Sequence, residues 1–292
     1  MPAGAKRMAG KICLVSGATS GIGAATALSL AREGATVIGI GRDPKRCAAS
    51  AEKIIRATGN PGVDFLLADL SVRSDIHALA KQFKARYPRL DVLVNNAGAR
   101  FSSRLLSADG CEMTFALNHL GYFLLTALVL EKLKQSGHAR IVNVASGAHR
   151  SCPGIDFEDL NYERNYSGKA AYAQSKLANI LFTYELDRRL KGTAITANAA
   201  APGNVLTRFS RNNGWASWLG HVVGSLRSGN LVGPAEGAET VLFLACSPEV
   251  DDTSGGYFSQ KRATRSSNAS FDTDAAKRLW QVSEELTELK AW

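Results

Sequence analysis

The sequence predicts an α/β protein: a single-domain, doubly wound parallel sheet with helices on both faces. Three observations carry this. Short apolar runs alternate with longer stretches of helical composition as far as Ala199; the first run feeds a glycine-rich turn and an Ala/Leu-rich helix; and no linker-like composition divides the 292 residues. Ile12 to Val15 reads as the first strand, Ser16-Gly-Ala-Thr-Ser-Gly-Ile-Gly23 as a turn, and the stretch to Glu33 as a helix that Gly34 ends. Strand Thr36 to Ile40, helix 44 to 58, strand Val63 to Ala68, helix 72 to 86 and strand Val92 to Asn95 follow. The second half continues with a long helix through Asn118 to Lys134, strand Arg140 to Ala145, helix Ala170 to Leu190 and strand Ile195 to Ala199. Repeated βα units of this length need right-handed crossovers, which makes the sheet Rossmann-type. Residues 147 to 168 and 203 to 232 break the alternation as long connections, and 259 to 292 read as a C-terminal helical extension.

Composition narrows the function classes. A hydrophobic fraction of 45% and a charged fraction of 21% are those of a globular protein with a substantial core. The formal net charge of +9 is spread over helix-like segments such as 42 to 56 and 73 to 89. No basic run interleaved with aromatics stands out, so a nucleic-acid partner is not expected. The five cysteines, at 13, 47, 111, 152 and 246, show neither a CxxC nor a Cys/His ligand spacing. Neither a disulfide framework nor a metal site is expected, and a reducing, cytoplasmic compartment is. The start, MPAGAKRMAG, is short and polar, and no apolar run reaches the ~18 residues of a membrane span, so no membrane anchor is expected.

Glycines 17, 21 and 23 sit between a strand and a helix. They permit a tight turn, close backbone approach to a pyrophosphate, and exposure of helix N-terminal N–H groups to its charge. Residues 1 to 292 therefore read as one dinucleotide-binding and catalytic domain. After the second strand, Gly39-Ile-Gly41-Arg42-Asp43 offers a guanidinium fork for a ribose 2′-phosphate where an acidic residue would select the 2′-hydroxyl. NADP(H) is expected over NAD(H). Arg42 could alternatively cap the sheet edge or pair with Asp43. Asp69, after the third strand, is placed to accept from an adenine amino group or to cap the helix beginning near Val72.

Among the seven tyrosines only Tyr172 has a lysine four residues on, Lys176. On a helix these positions share a face, so phenol and ammonium can enter one site, and a nearby cation would draw the phenol's pKa down toward working pH. Such a pair suits general acid–base work, although the spacing is also common on surface helices.

Ser-Gly-Ala-Thr-Ser-Gly-Ile-Gly, Asn95-Asn-Ala-Gly98, Asn118, Ser146, Tyr172-xxx-Lys176 and Pro202-Gly203 occur in the order and approximate spacing of the short-chain dehydrogenase/reductase family. The resemblance runs from Lys11 to about Phe258. Asn118-His-Leu-Gly-Tyr-Phe-Leu-Leu-Thr126, Ser175-Lys-Leu-Ala-Asn-Ile-Leu-Phe-Thr183, Ser247-Pro-Glu-Val and Arg278-Leu-Trp280 resemble the retinol dehydrogenase branch and its soluble bacterial relatives. The resemblance implies catalytic roles for Asn118, Ser146, Tyr172 and Lys176. Tyr172 would exchange the proton with the substrate oxygen, and Ser146 would donate to the developing alkoxide. Lys176 would bind the nicotinamide ribose and lower the Tyr172 pKa, while Asn118 would hold a helix bend and a water. The implied cofactor set is Ser16, Gly17, Thr19, Ser20, Gly21, Ile22, Gly23, Arg42, Asp69, Leu70, Asn95, Ala97, Gly98, Tyr172, Lys176, Pro202, Gly203, Val205 and Thr207. Ser16 stands where the family usually has threonine, and Ala145 precedes Ser146 where a second serine is frequent. The gap from Ser146 to Tyr172 is about twice the commonest family spacing, an insertion that the retinol dehydrogenase branch shares.

The implied reaction is hydride transfer between nicotinamide and an alcohol or carbonyl compound, with NADP(H) use pointing to carbonyl reduction. Residues 203 to 232 would form a substrate lid whose Phe209, Trp215 and Trp218 give an apolar lining; ordinary core or a dimer contact would use the same residues. A small apolar carbonyl or alcohol is the expected substrate, and a homo-oligomer is allowed for. A non-catalytic dinucleotide-binding regulator or scaffold is the alternative from another class, which retention of all four catalytic residue types disfavours. An epimerase or dehydratase acting on a nucleotide sugar is disfavoured by the glycine spacing.

Overall fold

The computed structural model, which describes residues 6–203 and 232–289, has strands β1 (Ile12–Ser16), β2 (Thr36–Gly41), β3 (Val63–Leu67), β4 (Val92–Asn95), β5 (Ala139–Val144), β6 (Ile195–Ala201), β7 (Tyr257–Ser259) and β8 (Arg262–Ala263). Its main helices are α1 (Gly21–Arg32), α2 (Pro44–Thr58), α3 (Arg73–Arg86), α4 (Met113–Lys134), α5 (Gly168–Arg189), α6 (Pro234–Cys246) and α7 (Thr273–Thr287). The strands lie in one sheet, ordered β3-β2-β1-β4-β5-β6-β7-β8, parallel except where β8 pairs antiparallel with β7.

Alternation along each strand divides the core between two faces. Leu14 lies opposite Ile38 and Leu93, and these three join Ile141, Ala197 and the apolar sides of α3, α4 and α5 in one buried cluster. Cys13, Val15, Val37, Val94, Val142 and Val144 point the other way, into a second cluster with α1 and α6. Both faces are thus covered, as a parallel sheet requires. Strand order reverses between β1 and β4, so the loops leaving their C-terminal ends diverge and open a crevice. That crevice receives the predicted site.

Local signals set several boundaries. Asp43 caps α2 by accepting from Arg46 N at 3.0 Å, Pro44 occupies its first turn, and Gly59 closes it with φ +66°. Elsewhere the structure corrects the expectations. Helix α4 begins at Met113 and contains a π-helical turn, Ala116–Leu120, centred on Asn118. Contrary to the reading of apolar runs, α4 is long and apolar enough to cross a membrane by length and composition. It is a core helix of this fold, with Tyr122, Phe123, Leu124 and Leu125 fully buried. The C-terminal extension is only partly helical: β8 and a 3₁₀ turn at Asn268–Phe271 precede α7. A strand of two residues is too short for alternation to reveal.

The end of the sheet opposite the crevice is tied by Asp91, a buried carboxylate just before β4. It accepts from Ile12 N at 2.8 Å, Ser136 Oγ at 2.8 Å, Lys11 Nζ at 3.3 Å and Arg89 Nε at 3.1 Å. Burial opposes its ionisation, yet these donors outweigh burial and hold its pKa below the usual carboxylate value. A depressed folded-state pKa stabilises above the unfolded value, and the contribution is lost as pH falls through the folded one. Asp91→Ala is expected to cost about 1–3 kcal/mol at neutral pH. In a melting series the gap to wild type should narrow below about pH 4; a gap independent of pH would contradict this assignment.

Candidate active site

A cleft of about 1330 Å³ runs along the C-terminal ends of the strands. Its first wall is the turn after β1. Gly17 and Gly21 have φ of +66° and +56°, values that favour glycine. A Cβ at Gly23 would stand 2.4 Å from the Gly17 carbonyl oxygen and 2.5 Å from Asn96 Nδ2, so the helix start is pressed against the turn. Ser20, the N-cap of α1, makes no side-chain capping bond, and the first turn holds no acidic residue. The leading N–H groups of α1 therefore face the cleft uncapped, an arrangement that accepts a pyrophosphate. By this test the residues present fit a dinucleotide.

Gly17, Thr19, Ser20, Gly21, Ile22, Arg42, Asp69, Leu70, Ala97, Gly98, Tyr172, Lys176, Pro202 and Gly203 all line this cleft, as does Ser146. Ser16, Gly23, Asn95 and Asn118 do not. Ser16 is buried and its hydroxyl accepts from Asn96 N at 2.7 Å and Ala97 N at 2.9 Å, clamping the loop after β4 to the end of β1. Asn95 turns into the core, donating to Thr126 Oγ1 at 3.0 Å and Asn143 Oδ1 at 2.9 Å. Its neighbour Asn96, which sequence reasoning missed, lines the cleft and donates to the Ser16 carbonyl at 2.8 Å. Val205, Thr207, Phe209, Trp215 and Trp218, with nearly all of the expected lid, lie outside the described residues. Among the described residues no cluster of three His, Cys, Asp or Glu side chains could hold a metal.

At the end of β2, Arg42 is largely exposed and reaches Asp69 rather than Asp43, with Nη1 and Oδ2 at 3.5 Å. Asp43 is committed to its cap. Asp69 does not cap α3; it accepts from Ser71 N at 3.0 Å and Ser71 Oγ at 2.7 Å. Burial disfavours its charge, but the Ser71 bonds and Arg42 prevail and keep its pKa low. Arg46, four residues beyond Arg42 on α2, also lines this end.

The other end is built from β5, α4 and α5. Ser146 follows β5 and caps a 3₁₀ turn, accepting from Ala148 N at 3.2 Å. Tyr172 and Lys176 lie one turn apart on α5. Lys176 is buried; its Nζ donates to the Val144 carbonyl at 2.8 Å and stands 5.7 Å from the Tyr172 ring centre. The same Nζ is 5.6 Å from the ring of Tyr122, a buried α4 residue that the sequence did not single out. Burial brings Lys176 down to about 7. Burial likewise raises Tyr172 to about 12, against the hydrogen bond with Ser146 and the positive charge of Arg100. The expectation that Lys176 would draw the phenol down is thus reversed. Lys176 is buried and Tyr172 half-buried at the cleft wall, and desolvation disfavours ammonium and phenolate alike.

Asn118 holds the loop that separates the two ends. In the π-helical turn its Oδ1 accepts from Ala99 N at 2.9 Å, while Nδ2 donates to the Ala99 carbonyl at 3.0 Å and to Ser175 Oγ at 2.9 Å. A Cβ on Gly98 would lie 3.0 Å from Asn118 Oδ1, so the glycine lets this loop close over the π turn. The expected helix bend is therefore a widened turn that couples the β4 loop to α5.

The family model for short chain dehydrogenases matches residues 11–216. The chain is 40% identical to retinol dehydrogenase 13 of Homo sapiens, covering 97% of this chain and 86% of that protein. It is 42% identical to human retinol dehydrogenase 11, over 95% and 86%. Among solved structures, an uncharacterised protein of Mycobacterium paratuberculosis superposes with a TM-score of 0.76 at 35% identity, covering 96% of this chain and 94% of that one. RhlG of Pseudomonas aeruginosa, described as an NADP active-site complex, superposes with a TM-score of 0.70 at 29% identity, over 87% and 96%. With the glycine turn and the Ser146, Tyr172 and Lys176 cluster in one cleft, the chain belongs to the short-chain dehydrogenase family and resembles its retinol dehydrogenases.

Proposed function

We propose that this oxidoreductase uses NADP(H) to reduce an apolar carbonyl compound to its alcohol, with Tyr172 as the proton donor. The observation that carries the reading is the convergence of Ser146, Tyr172 and Lys176 in the cleft that the uncapped α1 terminus also enters. A bound nicotinamide would supply the hydride. The chain's own residues would do the rest. A phenol raised to about 12 keeps its proton at neutral pH, as carbonyl reduction needs. Ser146, already hydrogen-bonded to that phenol, would donate to the carbonyl oxygen and stabilise the charge that grows there. Lys176 would hold the ribose next to Tyr172, and Asn118 would keep the Ala99 loop in place beneath them. Gly17 to Ile22, Asn96, Ala97, Gly98, Pro202 and Gly203 would form the walls that hold the dinucleotide.

Arg42 and Arg46 at the β2 end support a 2′-phosphate, as does the NADP in the Pseudomonas aeruginosa relative. An apolar substrate is supported by Phe209, Trp215 and Trp218 in the sequence and by the relatives named as retinol dehydrogenases. All five cysteines are free thiols, which suits a cytoplasmic site of action.

The test is NADPH oxidation with retinal, aliphatic aldehydes, steroids and quinones. Turnover should be abolished in Tyr172→Phe without loss of NADPH binding; better turnover of small polar sugars would overturn the substrate class. Arg42→Ala should weaken NADPH roughly ten- to a hundredfold while changing NADH little. An unchanged NADPH affinity would contradict the cofactor choice.

Lys176 adds a pH dependence. An anionic dinucleotide favours the ammonium, so binding should be full below the free-protein value of about 7 and weaken as pH rises through it. Fluorescence titrations of NADPH across pH should show this midpoint in wild type and lose it in Lys176→Met; a profile unchanged by that substitution would sink the assignment.

A further inference from the structure

Ser146 acts through its hydroxyl proton, and the turn that follows it decides where that proton points. Ala148 N donates to Ser146 Oγ at 3.2 Å, which occupies a lone pair and leaves the hydroxyl proton for the phenol or a substrate oxygen. The turn is a 3₁₀ segment of five residues, Gly147–Ser151, and is by itself a short support. His149 lies within it. Its side chain is fully buried, stands outside the cleft lining, and packs edge-on to Tyr257 of β7 with ring centres 5.1 Å apart.

Both ring nitrogens of His149 meet partners that fix the proton. Ser267 N lies 3.0 Å from Nε2, and a backbone N–H can only donate, so Nε2 is bare. The Ser146 carbonyl oxygen lies 2.6 Å from Nδ1 and can only accept, so Nδ1 carries the proton. The ring is then neutral and fully satisfied. Burial agrees with this: it holds the His149 pKa below the ordinary histidine value, against the Ser146 bond and with help from the Arg150 guanidinium. His149 thus spans from the backbone of Ser146 to a segment more than a hundred residues further along the chain.

The far end of that span is itself anchored. Ser270 Oγ donates to the Ser267 carbonyl at 2.6 Å and lies 2.6 Å from Ser266 Oγ, which lies 2.8 Å from the hydroxyl of Tyr184 on α5. Ser266 and Ser270 are buried. A second tie runs beside the first, since the Arg150 guanidinium donates to the Arg265 carbonyl. Tyr184 stands on the helix that carries Tyr172, so the Ser146 turn is braced, through His149, against the same rigid element that presents the phenol.

We propose that His149 is a positioning residue: as an Nδ1-protonated imidazole it fixes the Ser146 turn to residues 265–270 and so aims the Ser146 hydroxyl at the reacting oxygen. The inference rests on the proposed reading of Ser146 as the donor to the substrate carbonyl.

The experiment is a double-mutant cycle on the full chain. It reads kcat for NADPH-dependent reduction of the best carbonyl compound of the panel above, and NADPH affinity by fluorescence. His149→Phe keeps a ring against Tyr257 and removes both hydrogen bonds; His149→Asn puts an amide N–H near the place of Nδ1 and keeps the Ser146 bond alone. We expect kcat to fall roughly five- to fiftyfold in His149→Phe and by a smaller factor in His149→Asn, with NADPH affinity unchanged in both. In a Ser146→Ala background the same substitutions should cost little, because the hydroxyl that they aim is gone. No loss in His149→Phe, an Asn variant equal to wild type, or losses that multiply with that of Ser146→Ala would overturn the proposal. So would a His149→Phe variant that weakens NADPH as much as it slows turnover, the mark of an ordinary core histidine. Nitrogen-15 NMR of the histidine-labelled protein adds a readout that needs no substrate. At neutral pH His149 should show a protonated Nδ1 and a bare Nε2; the opposite tautomer or an imidazolium would contradict the assignment. Failure of the proposed function would show in the wild-type protein as no carbonyl turnover; failure of this inference leaves wild-type turnover intact and shows in the cycle or in the tautomer.

Discussion

A buried amine against a single carbonyl governs the site. Lys176 is taken out of water by the packing of α4 and α5 on the end of β5, and its Nζ meets the Val144 carbonyl two residues before Ser146. Burying an ammonium is costly unless other groups replace its hydration, and one carbonyl at 2.8 Å replaces little of it. Burial consequently lowers the amine's pKa to about 7. The same burial keeps the Tyr172 phenol protonated. One constraint, desolvation at the end of β5, thus acts on the phenol and the amine together.

The fold supplies that constraint from both sides. The reversal of strand order between β1 and β4 opens the cleft, and covering helices make both sheet faces dry. The Asn118 π turn then ties α4 to the Ala99 loop and to α5 through Ser175. At the opposite rim the glycine turn has no spare volume, since Gly23 and Gly17 touch across it and Asn96 fills the remaining gap. Rigid walls and an uncapped helix terminus are what a preorganised anion site needs.

Much of this was readable from residues. The β1 turn, the Asp43 cap and the Tyr172 and Lys176 face follow from local spacing, because helix and turn geometry fix neighbours within a few residues. Which of Asn95 and Asn96 faces the cleft was not readable: β4 ends at Asn95, so its side chain continues the strand's alternation into the core. The direction of the Tyr172 shift was misread because spacing reveals the nearby cation but not the loss of water around both groups. The π turn leaves no compositional trace, and the meeting of His149 with Ser267 depends on how the C-terminal segment packs on α5.

The central claim is that Lys176 is held near neutrality by burial and recharged by the dinucleotide. Its side chain can be followed directly by NMR of carbon-13-labelled lysine across pH. A midpoint near 7 in the free protein, moving upward when NADPH is added, is the predicted result. A midpoint near the ordinary lysine value of about 10.4 in the free protein, unmoved by NADPH, would contradict it.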